Sequence, residues 1–332
     1  MRRAAEWEPQ ESVWLCYPSN KKHWGENLEK IRLFCINLIK LISKYQKVEL
    51  LLNDETDLDK LKAQLQGYEY EVHFHFIPHN DIWIRDFGPI FVNNEEEIKI
   101  IKFGFNAWGG KFPPYELDNK VPYEIAKILK CEIEEVPLVL EGGALEFNGD
   151  QLLLSTKSCL LGKTRNPNKT ERSIKSKLLK SMSLSEIYLF EGGLLGDHTD
   201  GHVDNIIRFI DGNTLMIASA DEGDAQYEFC QCLNSEVKVL QSRLKDLNVV
   251  HLDLPKSLSL NGEILSRSYL NFIFLNGAIV VPTFNESSDQ KALNQFKVLF
   301  PDHDIHGYDC RDLVVEGGGL HCMTCHQPKL EA

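Results

Sequence analysis

No run of this sequence approaches the roughly 18 consecutive apolar residues that cross a bilayer as a helix. Its first residues, although they include Arg2 and Arg3, continue into Glu6, Glu8 and Glu11 rather than into the apolar core of a leader. Neither a membrane span nor export is expected. Basic residues are in deficit, with 36 Lys and Arg against 49 Asp and Glu and a formal net charge of −13. A nucleic-acid or anionic-membrane surface needs clustered cations that displace counterions, so neither partner is expected, whereas a small cationic ligand is attracted. Also missing are a Pro/Ser-rich linker and the dense, even cysteine framework of a small secreted scaffold. The nine cysteines scatter from Cys16 to Cys325, which suits a reducing cytoplasm. What is present is length: 332 residues, 43% of them hydrophobic, enough for a large core.

Strand and helix patterns interleave along the chain. Leu28, Ile31, Phe34, Cys35, Leu38 and Ile42 recur at helical spacing over 27–44, Val48 to Leu52 is a short apolar strand, and Leu58 to Leu65 returns to helical spacing. Val72, Phe74 and Phe76 then alternate with His73 and His75 as a strand. Later, 152–154 and 188–190 read as strands around a helix near 170–183, and 206–210 and 215–217 as strands before a helix near 225–244. An internal repeat runs through Leu140-Glu-Gly-Gly, Phe190-Glu-Gly-Gly and Val315-Glu-Gly-Gly-Gly. Such a repeat signals units that share one core, so a single domain over 1–332 with a propeller-like ring is expected rather than two domains.

Three constellations carry candidate chemistry. In Gly196-Asp-His-Thr-Asp-Gly-His-Val-Asp204, an extended backbone puts His198, Asp200, His202 and Asp204 on one face, and the same residues could form a metal site. Near the C-terminus, Glu316-Gly-Gly-Gly-Leu-His-Cys-Met-Thr-Cys-His326 contains a c-type haem pattern that the lack of an export signal opposes; His321, Cys322, Cys325 and His326 are alternatively zinc ligands, though without a second Cys-x-x-Cys pair. In Asn80-Asp-Ile-Trp-Ile-Arg-Asp-Phe-Gly-Pro89 the charges alternate with apolar residues as on a strand, and Gly88-Pro89 leaves Asp86 at the strand end.

Together with Ala5-Glu-Trp-Glu-Pro9, Phe105-Asn-Ala-Trp-Gly-Gly110, Leu140-Glu-Gly-Gly143 and Ser268-Tyr-Leu-Asn-Phe272, these constellations resemble the agmatine deiminase and bacterial peptidylarginine deiminase family over essentially the whole chain. One departure is Cys325-His326, where a glutamine-rich run is common. The resemblance implies an α/β fold, a five-bladed pseudo-symmetric propeller, with its site on the axis and neither metal nor cofactor. By position it implies Cys322 as nucleophile, His202 as general acid/base, Glu141 as the group orienting His202, and Asp86 and Asp204 as the guanidinium clamp. Trp83, Trp108 and Gly109 are the remaining expected substrate-binding residues. The chemistry is coherent: two carboxylates bind the N–H edges of a planar cation while a thiolate attacks its poorly electrophilic carbon. The expected reaction is hydrolysis of agmatine to N-carbamoylputrescine and ammonia. Peptidylarginine deimination, amidino transfer and a metal-dependent hydrolase on His198, Asp200, His202 and Asp204 are the alternatives. A homo-oligomer is compatible with the sequence.

Overall fold

The computed structural model describes residues 1–67 and 71–330. The interleaving seen in the sequence becomes a repeated unit, in which an antiparallel pair of strands is followed by a crossover helix and a third strand parallel to the second. In one sheet β1 (Gln10–Cys16) and β2 (Lys47–Leu52) are joined by the helix Leu28–Ile42, with β3 (Val72–Phe76) beyond β2. A second sheet contains β4 (Ile90–Asn93), β5 (Ile98–Gly104) and β6 (Glu132–Val139), and a third contains β7 (Glu146–Phe147), β8 (Leu152–Thr156) and β9 (Glu186–Phe190). A fourth contains β10 (Ile207–Asp211), β11 (Thr214–Ser219) and β12 (Asn248–Asp253). After a small hairpin, β13 (Ser259–Leu260) and β14 (Glu263–Ile264), the fifth sheet contains β15 (Ile273–Leu275), β16 (Ala278–Thr283) and β17 (Asp304–Asp309). Finally β18 (Cys325–Pro328) pairs antiparallel with β1, supplying to the first sheet the strand that the other sheets draw from their own segment.

The crossover helices exist because parallel strands cannot be joined by a tight turn. Each presents one apolar stripe to its sheet: Leu28, Ile31, Cys35, Leu38, Ile39 and Ile42 are buried on the first, Ile174 and Leu178 on Glu171–Ser181, and Leu233, Val237 and Leu240 on Tyr227–Arg243. Sequence-legible ends accompany them. The Thr170 hydroxyl accepts from the Ser173 amide, and Glu286 and Asp289 form a reciprocal capping box on Ser287–Leu299. Among the described residues no helix is long and apolar enough to cross a membrane.

Two expected elements differ. Gly196–Asp204 is not extended: Asp200 has φ 70°, Gly201 has φ 106°, and the Asp197 carboxylate accepts from the amides of Thr199 and His202, which makes a compact turn. His202 and Asp204 are consequently buried while His198 stays exposed, and the four residues do not share a face. Residues 82–87 are not a strand either. Ile84–Phe87 forms one helical turn, closed by the Gly88 amide on the Ile84 carbonyl, and β4 starts only afterwards.

Candidate active site

The residues singled out by the sequence fall in corresponding places of the repeated unit, on the connections that lead into the first strand of a sheet. Asp86 lies just before β4, Glu141 between β6 and β7, His202 and Asp204 before β10, and Cys322 on a short turn before β18. Asn271, just before β15, completes the set.

Cys322 is 5% exposed and opens onto a cavity of about 180 Å³ whose lining includes Trp83, Asp86, Trp108, Phe112, His198 and Glu316. The cavity lining is aromatic and acidic, with Asp81, Asp86 and Glu316 contributing carboxylates. Gly109 is not part of this lining. It has φ 86° and donates its amide to Asn106 Oδ1 at 2.8 Å, so it shapes the turn that presents Trp108.

Asp86 is clamped at both oxygens: Oδ2 accepts from Trp108 Nε1 at 2.8 Å and Oδ1 from the Gly143 amide at 2.9 Å. Burial, reinforced by Asp204 and opposed by His202, raises Asp86 to about 6. Asp204 accepts from His321 Nδ1 through Oδ2 at 2.7 Å, while its buried Oδ1 has no hydrogen-bond partner among the described residues. Burial works against this carboxylate too, but His321 outweighs it and lowers Asp204.

His202 is fully buried. Its Nδ1 stands 3.6 Å from Asp86 Oδ1 and its Nε2 3.8 Å from Glu141 Oε2, and neither nitrogen makes a hydrogen bond among the described residues. Burial opposes the imidazolium, yet Asp86, Cys159 and Glu141 overcome it and hold His202 well above the ordinary imidazole range. The second glycine of the first repeat motif explains how these groups come so close. A methyl group at Gly143 would lie 2.6 Å from His202 Nδ1, 2.8 Å from Asp86 Oδ1 and 3.0 Å from Asp204 Oδ2. No residue larger than glycine fits there.

The Cys322 thiol is pushed far up, first by burial and then by Asp204 and Asp86, with His202 pulling weakly the other way. Its sulfur lies 3.6 Å from Asn271 Nδ2 and 3.7 Å from Asn271 Oδ1. Asn271 is itself fixed by the His321 amide at 2.9 Å and by Asn205 Oδ1 at 3.1 Å.

Behind these groups lies a layer that sequence reasoning missed. Arg165 Nε donates to both oxygens of Glu141 at 2.8 and 3.0 Å, and Cys159 Sγ donates to Glu141 Oε2 at 3.5 Å. His321 Nε2 reaches Glu6 at 3.0 Å, and Glu6 receives Arg85 and Arg208 at 2.7 Å each. Burial disfavours the Glu6 carboxylate, but Arg85, His321 and Arg208 hold it well below its usual range. Glu6 lay inside a quoted motif, as did Arg85, His321 and Asn271, so their motifs were the available signal; Cys159 and Arg165 lay in none.

The two metal arrangements drawn from the sequence do not assemble. Among the described residues the one group of three candidate ligands close enough to share an ion is Glu141, Cys159 and His202. His326 Nδ1 instead meets Arg85 Nη2 at 2.7 Å, and Cys325 Sγ donates to the Pro89 carbonyl at 3.4 Å.

Residues 2–328 match the family model of Porphyromonas-type peptidyl-arginine deiminases. The chain belongs to that family. A relative from Legionella pneumophila is 34% identical to this chain, covering 98% of it and 94% of its own length. The agmatine deiminase of Pseudomonas syringae pv. tomato is 30% identical over the same shares. Among solved structures, the Campylobacter jejuni agmatine deiminase with substrate bound superposes with a TM-score of 0.90 at 33% identity, covering 99% of this chain and 96% of that one.

Proposed function

We propose that this protein hydrolyses agmatine to N-carbamoylputrescine and ammonia through a covalent intermediate on Cys322. The observation that carries the reading is the convergence at Gly143 of Asp86, Asp204 and a fully buried His202, with Cys322 lining the same cavity as Asp86; among the described residues neither His202 nitrogen nor Asp204 Oδ1 has a hydrogen-bond partner. A guanidinium supplies what each of these groups lacks. It pairs with Asp86 and Asp204 and so cancels the negative field that keeps Cys322 protonated.

The steps balance without a cofactor. On substrate binding the Cys322 proton passes to solvent and the thiolate sulfur bonds to the guanidinium carbon. His202 gives its proton to the departing amino group, the C–N bond breaks, and ammonia leaves a thiouronium on Cys322. Neutral His202 then takes one proton from water as the water oxygen attacks, the C–S bond breaks to release the ureido product, and the remaining hydroxyl proton replaces the one that Cys322 gave to solvent, so thiol and imidazolium are both restored. Glu141, held by Arg165, orients and charges His202. Trp83 and Trp108 pack beside the aliphatic chain, and the Asp81 and Glu316 carboxylates in the lining give the cavity the sign that a second ammonium needs.

The relatives named agmatine deiminase support this substrate over peptidyl arginine, as does the absence of any Lys or Arg among the cavity-lining side chains, where an α-carboxylate would need one. The same reading takes the chain as one domain, with the five sheets as blades of a pseudo-symmetric ring; the equivalent placement of the site residues before successive sheets supports it. Nine free cysteines suit a cytoplasmic enzyme. The deciding experiment compares ammonia release from agmatine, free arginine and a blocked peptidyl arginine at neutral pH. Agmatine is expected to have by far the largest kcat/KM, and a preference for the blocked peptide would overturn the substrate while leaving the thiol chemistry in place.

A further inference from the structure

The reaction above uses one thiol, yet a second lies beside its acid/base. Cys159 is fully buried on the helical turn Lys157–Leu160, whose cap is the Thr156 hydroxyl accepting from the Cys159 amide at 3.4 Å. Its sulfur is 3.5 Å from Glu141 Oε2, which in turn is 3.8 Å from His202 Nε2. All three candidate ligand atoms fall within 4.8 Å of one another. A tetrahedral zinc ion, with bonds of about 2.0–2.3 Å, holds its ligand atoms roughly 3.3–3.8 Å apart, so side-chain adjustments of under an ångström suffice. His202 Nε2, buried and without a hydrogen bond, faces into this triangle.

We propose that Glu141, Cys159 and His202 form an inhibitory binding site for a thiophilic divalent cation, zinc being the best match to a Cys/His/carboxylate donor set. Binding through Nε2 leaves the imidazole N–H on Nδ1, where Asp86 Oδ1 at 3.6 Å stands as the outer carboxylate that metal-bound histidines commonly use. The Cys159 and His202 Nε2 protons go to solvent, and water takes the fourth position. Arg165 remains anchored when Glu141 Oε2 turns to the ion, because its two terminal nitrogens are held by Asp200 Oδ2 and the Thr199 carbonyl at 2.6 Å each. The ion occupies the nitrogen that would otherwise move protons, so it blocks turnover without touching Cys322. This last clause rests on the proposed role of His202; the coordination itself does not.

Cobalt(II) reports the site directly, since a thiolate ligand gives an intense near-ultraviolet charge-transfer band. The intact protein and its Cys322→Ser variant are expected to show that band at one equivalent of Co2+, and Cys159→Ser to lack it, with Cys159→Ala serving if the serine variant folds poorly. In parallel, Zn2+ should inhibit the parent enzyme reversibly, with chelator restoring activity. The inhibition constant should weaken in Cys159→Ser by more than about 100-fold, above the loss seen when only an outer partner of a ligand is removed. A band that survives in Cys159→Ser, that vanishes in Cys322→Ser, or that never appears in the parent protein overturns the site. A stoichiometric band without loss of turnover overturns its inhibitory role. Because the band is read without substrate, failure here and failure of the agmatine assay are distinguishable.

Discussion

Cys322 is a nucleophile candidate whose own surroundings resist its ionisation, because burial, Asp204 and Asp86 all favour the neutral thiol. Replacing its sulfur by oxygen keeps the size and removes the ionisable group, so Cys322→Ser is expected to lose turnover while retaining fold and agmatine binding, as calorimetry and circular dichroism can check. Cys325→Ser should retain substantial activity, since that thiol faces the Pro89 carbonyl rather than the cavity; equal losses at both positions would rule out a single nucleophile. A pH profile tests the clamp. Asp86, raised to about 6, must be ionised to hold a cation, so kcat/KM in the parent enzyme should fall about tenfold per pH unit below that value. Asp86→Asn should have low activity with this acid limb flattened, and an unchanged limb in the variant would assign the titration elsewhere. The residues that line or face the site were legible because each sits in a short motif of its own. Their supports were not, because the partners are remote in sequence: Glu6 and His321 are 315 residues apart, Asp204 and His321 are 117 apart, and nothing local marks Arg165 as the partner of Glu141.

Elements were most legible where one face is buried and the other wet. The helices Leu28–Ile42, Glu171–Ser181 and Tyr227–Arg243 lie within a few residues of where their apolar spacing put them. Segment 82–87 misled because Ile82 through Phe87 are all buried, and periodicity carries no information when every face is covered. Segment 196–204 misled for another reason: side-chain-to-backbone bonds from Asp197 compete with an extended chain. Local capping gives a prediction confined to one element. Thr170→Ala removes the bond to the Ser173 amide and should destabilise the protein by about 1 kcal/mol in denaturant titration. Turnover should be unaffected, because no residue of that helix touches the cavity.

At the scale of the whole molecule, the repeat was visible in the sequence but the pairing of β18 with β1 was not, since β18 is too short to announce itself and β1 lies some three hundred residues earlier. The seam is stitched by side chains as well as backbone: Gln327 Oε1 accepts from Trp14 Nε1 at 3.0 Å and from the Ser12 hydroxyl at 3.2 Å. Truncation after Thr324 should therefore cost far more than the loss of a terminal strand on a sheet edge, with a marked fall in Tm and loss of activity. An active truncated chain of unchanged Tm would show that the seam is dispensable. The pairing of β1 with β18 also governs where the protein tolerates added residues. His321 lies between Glu6 and Asp204, bonded to each, and the Lys329 amide bonds to the Pro9 carbonyl. Insertions beside Pro9 or Lys329 would strain the same seam that braces the pocket, whereas the exposed turn Asp221-Glu222-Gly223 offers an insertion point outside it.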